Sequence, residues 1–357
     1  MKKRGSKMEE NRKKIYIRTD GNKHIATGHL MRCLSIARSL SGLGAQVTFL
    51  VSDLESQALL LDRFDIGENF PVHCFYSQYN MLDHELETIL SFLSSIENHC
   101  DYLLIDSYFV TVRYLKALKA VVKIAYIDDL EITDSPVDTI INYAILHKKD
   151  YSSVPNRLLG GTYTPLRKQF ENVNYIIKPQ VENIFITTGG TDEYNITCTL
   201  LKAFLGDNSP LKNIGFHVLV GSLNTYKKQI YQLASTHQNI KIHENVSEMA
   251  SLMASCDLAI SAGGTTLCEL CAVGIPSISF CIADNQLGAV RAFDEKNIIK
   301  YAGDARTDSD LFDEILSSAK TIADSFELRF QMSQAGRNFT DGKGAYRIAA
   351  SLLSSSN

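Results

Sequence analysis

Ile15-Tyr16-Ile17-Arg18-Thr19-Asp20-Gly21-Asn22-Lys23-His24-Ile25-Ala26-Thr27-Gly28-His29-Leu30-Met31-Arg32-Cys33 is the stretch from which the fold is read. The apolar run Ile15-Tyr16-Ile17 reads as a β-strand. Leu30, Leu34, Ala37 and Leu40 recur at helical spacing, so a helix begins near Thr27 and Gly28, which suit its N-terminal boundary. A strand, a loop and a helix open a βαβ unit, and open α/β sheets bind ligands at that mouth. His29 falls in the first helical turn. The positive helix end disfavours imidazolium, so a neutral, proton-accepting ring is expected, as a general base requires. Arg18, Asp20 and Arg32 crowd the same turn. The plainer alternative is a histidine that caps the helix or packs in the core.

Working outward, strand and helix patterns alternate. Strands are expected at 46–51, 72–75, 102–106, 123–127 and 139–142, with helices between them. Between 143 and 178 the pattern breaks into polar, irregular sequence and a loop at 160–167. Alternation restarts with strands at 183–187, 215–220, 240–242, 258–260 and 277–280, and helices follow to the end. The length of 357 residues exceeds one typical core. The expectation is an α/β chain of two Rossmann-like, doubly wound domains facing a cleft. Residues 1–13 are expected to form a disordered basic tail, 14–178 a domain carrying His29, 179–340 a second domain, and 341–357 a helix packing back on the first.

Composition excludes several classes. The net charge is −4, with both signs mixed, so nothing draws nucleic acid or a membrane surface in bulk. No apolar run is long enough to span a bilayer, and the basic N-terminus has no apolar signal core behind it, so a cytoplasmic protein is expected. The eight cysteines sit mostly within apolar segments, as buried thiols in a reducing compartment do. Cys268 and Cys271 have C-x-x-C spacing without a second pair, so no metal site is expected.

The second half carries two glycine pairs, each after a strand and before a helix: Gly189-Gly190-Thr191-Asp192 and Ser261-Ala262-Gly263-Gly264-Thr265. Glycine lets backbone approach a ligand, and a helix N-terminus offers free N–H groups and a positive dipole end, so a diphosphate is expected here. Neither pair fits G-x-G-x-x-G, so no nicotinamide or flavin cofactor is expected. Glu269 lies one turn beyond Thr265, where a carboxylate can accept both hydroxyls of a ribose. Asn285 and Gln286 open a helix at the same sheet end, and Asn245 and Val246 offer backbone groups to a base.

This second-half pattern resembles the nucleotide-sugar domain of glycosyltransferase-B enzymes, such as the lipid-linked peptidoglycan GlcNAc transferase. The first-half motif Arg18-x-Asp20…Gly28-His29-x-x-Arg32 is narrower. It resembles UDP-2,4-diacetamido-2,4,6-trideoxy-β-L-altropyranose hydrolases of the pseudaminic acid pathway and their spore-coat polysaccharide relatives. Asp106, Tyr108, Asp128, Asp129, Asn142, Arg167, Gly189, Gly190, Thr191, Asp192, Glu269, Asn285 and Gln286 match in order. The resemblance implies a glycosyltransferase-B fold and a metal-independent hydrolase that frees UDP by C–O cleavage. It implies that His29 is the base, that Tyr108 stands near the reacting sugar, and that Asp20 orients His29 or binds sugar. Two residues depart from the pattern, Ala26 for a glycine and Ser107 for a histidine found in some members.

Two further readings stand beside the hydrolase. A glycosyltransferase of the same fold would use the same UDP-sugar with a larger acceptor. A non-catalytic nucleotide-sugar-binding protein would need no base at His29. The sequence leaves the oligomeric state open.

Overall fold

A computed structural model of the chain describes residues 12–131, 136–207 and 209–354. Of the tail expected at 1–13, residues 1–11 lie outside the described residues. The Lys13 ammonium donates to the Leu353 carbonyl. The described chain divides into two compact units, one reaching Arg167 and resuming at Lys343, the other running from Lys168 to Gly342.

The first unit contains β1 (Lys14–Thr19), α1 (Gly28–Gly42), β2 (Gln46–Val51), α2 (Leu54–Ala58), β3 (Val72–Cys74) and α3 (Leu86–Ser94). It continues with β4 (Tyr102–Asp106), α4 (Val112–Lys119), β5 (Lys123–Ile127), β6 (Thr139–Asn142) and β7 (Asn156–Leu159). All neighbours pair in parallel in the order β3-β2-β1-β4-β5-β6-β7. Ile15 is in register with Val47 on one side and Tyr102 on the other. Both faces are covered, so the strands are apolar throughout and successive residues serve opposite cores. Ile15, Ile17, Phe49 and Leu104 pack under α1, whereas Tyr16, Leu50, Leu103 and Ile105 pack with α3 and α4. The C-terminal helix Gly344–Ser354 lies on α1 and adds Ala345, Ile348, Ala349 and Leu352 to the first of these cores. Full burial of each Ile or Leu is worth about 1.5–3 kcal/mol, which fixes this helix where it lies.

The second unit contains β8 (Asn183–Thr187), α5 (Ile196–Leu205), β9 (Gly215–Leu219), α6 (Lys227–Thr236), β10 (Ile240–His243) and α7 (Met249–Ala254). Then come β11 (Leu258–Ala262), α8 (Thr266–Val273), β12 (Ser277–Cys281), α9 (Asp284–Glu295), β13 (Lys300–Asp304), α10 (Leu311–Asp324) and α11 (Phe326–Phe339). Its parallel sheet has the order β10-β9-β8-β11-β12-β13. Ile184, Ile186, Phe216, Val218, Ile260 and Phe280 form its core with α5 and α10. Among the described residues no helix is long and apolar enough to cross a membrane.

Three sequence expectations are corrected. The unit boundary falls after Arg167 rather than after 178. Residues beyond it are tied to the second unit: Gln169 bonds the Ser247 carbonyl and the Ala250 N–H, and the Tyr175 hydroxyl donates to the Asp257 carbonyl. Asn156–Leu159 is a strand where the sequence reads as irregular, and Lys300–Asp304 is a strand where it reads as helix. Both are short edge strands with polar residues, which lack the apolar run that marks a central strand.

Candidate active site

In the first sheet the chain leaves β1 for β2 on one side and later returns to β4 on the other. The carboxyl ends of β1 and β4 therefore flank a topological switch point, where such sheets bind ligands. His29 enters from the first turn of α1 and Asp106 ends β4. Both are buried, and His29 Nδ1 lies 2.6 Å from Asp106 Oδ1. Arg32, one turn beyond His29, donates from Nε to Asp106 Oδ2 at 2.6 Å and from a second guanidinium nitrogen to Oδ1. Its remaining nitrogen reaches Asp129 at 2.7 Å and the Tyr143 hydroxyl.

Burial opposes ionisation of Asp106, but the Arg32 charge and hydrogen bond, and then His29, hold its carboxyl well below the usual carboxylate range. An ionised Asp106 accepts the Nδ1–H of His29. The other ring nitrogen, Nε2, is then the ring atom that can accept a proton. That atom is buried and has no hydrogen-bond partner among the described residues. The Tyr108 ring stands edge-on to His29 with centroids 4.3 Å apart, and it is exposed. Burial, the larger cause, and then Asp129 raise the Tyr108 phenol, so it is an O–H donor at neutral pH. Gly28 precedes His29 in open space, with no atom within 4 Å of where a Cβ would stand.

The other first-half residues take different roles. Arg18 is fully buried and spends its donors on Glu85, Asp20, Ser52 and the Thr19 carbonyl. Asp20 accepts from Arg18 at 2.6 Å and from the Ser52 N–H at 2.7 Å. Expected as ligand and loop acid, this pair instead ties the loop after β1 to β2, and the carboxylate on His29 is Asp106. Asn142 donates to the Tyr151 hydroxyl, which donates to Asp128 at 3.0 Å, so these two buried residues brace the ends of β5 and β6. Arg167 is half-buried at the end of the first unit.

The second unit has its own switch point between β8 and β11, and both glycine pairs lie there. Gly189, with φ +86°, Gly190 and Gly264 are exposed and face open space. Gly263 is buried because a Cβ would stand 2.3 Å from Val290 Cγ2 and 3.3 Å from Gln286 Cβ, so α9 lies directly on this turn. That contact sets Gln286 beside the start of α8, with its side-chain oxygen accepting the Ile282 N–H at 2.9 Å. Leu267 and Cys268 close tight bonds back to Gly264 and Thr265, which leaves the Thr265 and Thr266 N–H groups without a backbone acceptor among the described residues. Two such groups at a helix N-terminus, behind an open glycine, are the kind of donors that anions accept from. Glu269 is half-buried one turn further along α8, and Asn285 is exposed at the start of α9. Asn245, with φ +50°, and Val246 follow β10.

Two expected ligand residues are corrected. Asp192 accepts the Ile196 and Thr197 N–H groups at 2.8 and 3.1 Å, so it caps α5. The buried Ser261 hydroxyl donates to the Ala262 carbonyl. Thr191 remains half-buried in the first glycine loop, where its carbonyl accepts the Thr188 hydroxyl. Asp106 and Asp129 lie in motifs that the sequence matches, but the sequence gives them no role, and it gives no signal for Tyr143. A cavity of about 300 Å³ opens beside Lys300 at the start of β13, away from both glycine loops.

Two parallel-sheet α/β units of seven and six strands, each with its loops at a switch point, define the glycosyltransferase-B class of fold. The fold matches the crystal structure of Acinetobacter baumannii MurG with a TM-score of 0.71 at 12% identity, covering 96% of this chain and 99% of that one. Within that class, residues 183–333 match the glycosyltransferase family 28 C-terminal domain. The chain is 26% identical over 221 residues to the spore coat polysaccharide biosynthesis protein SpsG of Bacillus subtilis, covering 60% of this chain and 64% of that protein. It is 26% identical over 246 residues to the UDP-2,4-diacetamido-2,4,6-trideoxy-beta-L-altropyranose hydrolase of Campylobacter jejuni, covering 66% of this chain and 81% of that protein.

Proposed function

We propose that this chain is a nucleotide-sugar hydrolase that adds water to the anomeric carbon of a UDP-diacetamido-trideoxyhexose and releases UDP. Its place is in nonulosonic (pseudaminic) acid or related surface-polysaccharide biosynthesis, in the cytoplasm. The observation that carries the reading is His29 Nε2, buried, unpartnered among the described residues, and set by Asp106 on the opposite ring nitrogen. A base so placed takes a proton from water as the water oxygen bonds to the anomeric carbon. The bond from that carbon to the diphosphate oxygen breaks, and its electron pair leaves with UDP. The cradle at Gly264, Thr265 and Thr266 suits the charge that develops on the departing diphosphate. Glu269 accepts from the ribose hydroxyls, and Asn245, Val246 and Gln286 serve the base and the sugar. The name of the Campylobacter relative supports this choice of substrate.

A glycosyltransferase is the second reading, favoured by the family 28 match and by the likeness to MurG. Incubation with UDP-amino-sugars alone separates the readings. UDP released without acceptor supports the hydrolase, release only with an added acceptor supports the transferase, and binding without turnover means neither. In oxygen-18 water the label must enter the sugar. Label in UDP would mean attack at phosphorus and a different enzyme class.

A further inference from the structure

Three loops at the His29 end of the first sheet carry aromatic rings that the hydrolysis above leaves unused. His24 stands in the loop after β1, which is closed by a single bridge between Asn22 and Ala26. The Asn22 side chain accepts the N–H groups of His24 and Ile25 at 2.9 and 3.1 Å, which holds the turn in shape. The His24 ring lies nearly parallel to that of Tyr79, from the segment after β3, with centroids 6.3 Å apart and planes at 10°. Tyr79 meets Phe109, from the segment after β4, edge-on at 5.5 Å. Phe109 directly follows Tyr108, the ring that stands against His29. Tyr79 and Phe109 are half-buried and His24 is exposed, so the row keeps open ring surface.

We propose that the row His24–Tyr79–Phe109 is the wall on which the sugar's apolar substituents pack, and that it sets a preference for a 6-deoxy, acetamido sugar over a hydroxylated hexose. The occupant rests on the hydrolase reading above; the ring contacts within the row, and the chain link from Phe109 to Tyr108, do not. Ring faces welcome methyl groups but offer a sugar hydroxyl poor replacement for its water. A 6-methyl or acetamido methyl gains there, whereas a 6-hydroxyl is desolvated without a partner. A single methyl-sized difference in an apolar pocket discriminates by roughly 10- to 200-fold.

Kinetics with UDP-2,4-diacetamido-2,4,6-trideoxy-β-L-altropyranose and with UDP-N-acetylglucosamine test the wall in wild type, Tyr79→Ala, Tyr79→Phe and Phe109→Leu. Tyr79→Ala is expected to raise KM for the deoxy sugar about tenfold, with the loss on KM rather than kcat, and to narrow its preference over UDP-N-acetylglucosamine. Tyr79→Phe restores it, Phe109→Leu shifts KM the same way by less, and calorimetric UDP affinity stays unchanged. A Tyr79→Ala variant that loses kcat at constant KM for both sugars overturns the wall and makes the row a latch on the 20–27 loop. Magnetisation transfer from protein to bound sugar is read independently of turnover. Transfer strongest to the sugar methyls in wild type and lost in Tyr79→Ala supports the wall. Equal transfer in both overturns it. Failure of wild type to hydrolyse, with methyl transfer intact, sinks the hydrolase and leaves the wall standing.

Discussion

His29 Nδ1 lies 2.6 Å from Asp106 Oδ1, which joins the first turn of α1 to the last residue of β4. The helix that follows β1 and the end of β4 thus bring together the proposed base and the carboxylate that orients its ring. Arg32 neutralises the same carboxylate from the next turn of α1 and the Cys33 thiol donates to it at 3.3 Å, so α1 carries three partners of Asp106. Asp106→Asn keeps an oxygen acceptor but loses the charge that fixes the Nδ1–H tautomer. It is expected to lower kcat for UDP release by about 10²–10⁴-fold, as is His29→Ala, with UDP affinity unmoved in both. Because the pair acts as a unit, the double variant should be no slower than the slower single one. Quenched-flow assay of UDP release with calorimetry of UDP binding checks all three. A near-normal rate in His29→Ala would make the whole motif structural.

Arg18 and Glu85 hold each other at 2.8 Å in full burial, and the Tyr114 hydroxyl adds a bond to Glu85 at 2.7 Å. Arg18→Met leaves the Glu85 and Asp20 carboxylates buried beside an apolar chain. Removing one partner of a buried pair costs about 3–5 kcal/mol. Urea unfolding should show that loss, while UDP affinity, which the proposed site draws from the second unit, stays as in wild type. Lost UDP affinity with stability intact would return Arg18 to the ligand site.

The fold was legible because parallel strands covered on both faces read as unbroken apolar runs, as Tyr102–Asp106 and Leu258–Ala262 do. β7 and β13 were not legible, because edge strands need no such run. His29 was legible from its position in a strand-to-helix mouth. Its partner was not, since Asp20 directly follows one apolar strand and Asp106 ends another, and only sheet order distinguishes them. β4 pairs with β1 while the chain between them makes β2 and β3 on the other side, and that long-range pairing sets Asp106 on His29. Asp192 misled for a local reason: an acid after Gly-Gly suits a ligand loop and a helix cap alike, and the cap took both oxygens.

His217 on β9 stacks against His243 on β10, with nitrogens 3.2 Å apart. Burial, and then the neighbouring His243 and Lys241, pull the His217 imidazole down to about 4. An unfolded histidine titrates near 6.5. Between these values the unfolded chain binds the extra proton, so stability is full above about pH 6.5 and falls as pH drops toward 4. His217→Gln removes the titrating ring and should flatten this dependence of the unfolding midpoint between pH 7 and pH 4.5. An equally steep profile in the variant would place the acid sensitivity elsewhere.

Gly263 and Gly264 are adjacent, yet they answer to different demands. A Cβ on Gly263 would stand 2.3 Å from Val290 Cγ2, whereas one on Gly264 would meet nothing within 4 Å. Gly263→Ala must push α9 outward, and overpacking of that kind costs about 1–3 kcal/mol. Gly264→Ala should leave stability within about 0.5 kcal/mol, since the added methyl touches no protein atom. The same methyl stands where a diphosphate would approach the Thr265 and Thr266 N–H groups, so UDP affinity should fall at least about tenfold. Glu269→Ala removes a charged acceptor from the same helix, a loss of about 1.5–3 kcal/mol or again tenfold and more. Differential scanning calorimetry and isothermal titration with UDP on the three variants read these effects apart. Loss of UDP affinity in Gly264→Ala and Glu269→Ala without loss of melting temperature assigns the diphosphate and ribose to the start of α8. Unchanged affinity in both would remove the nucleotide from this loop and leave the Gly-Gly turn a packing device for α9 alone.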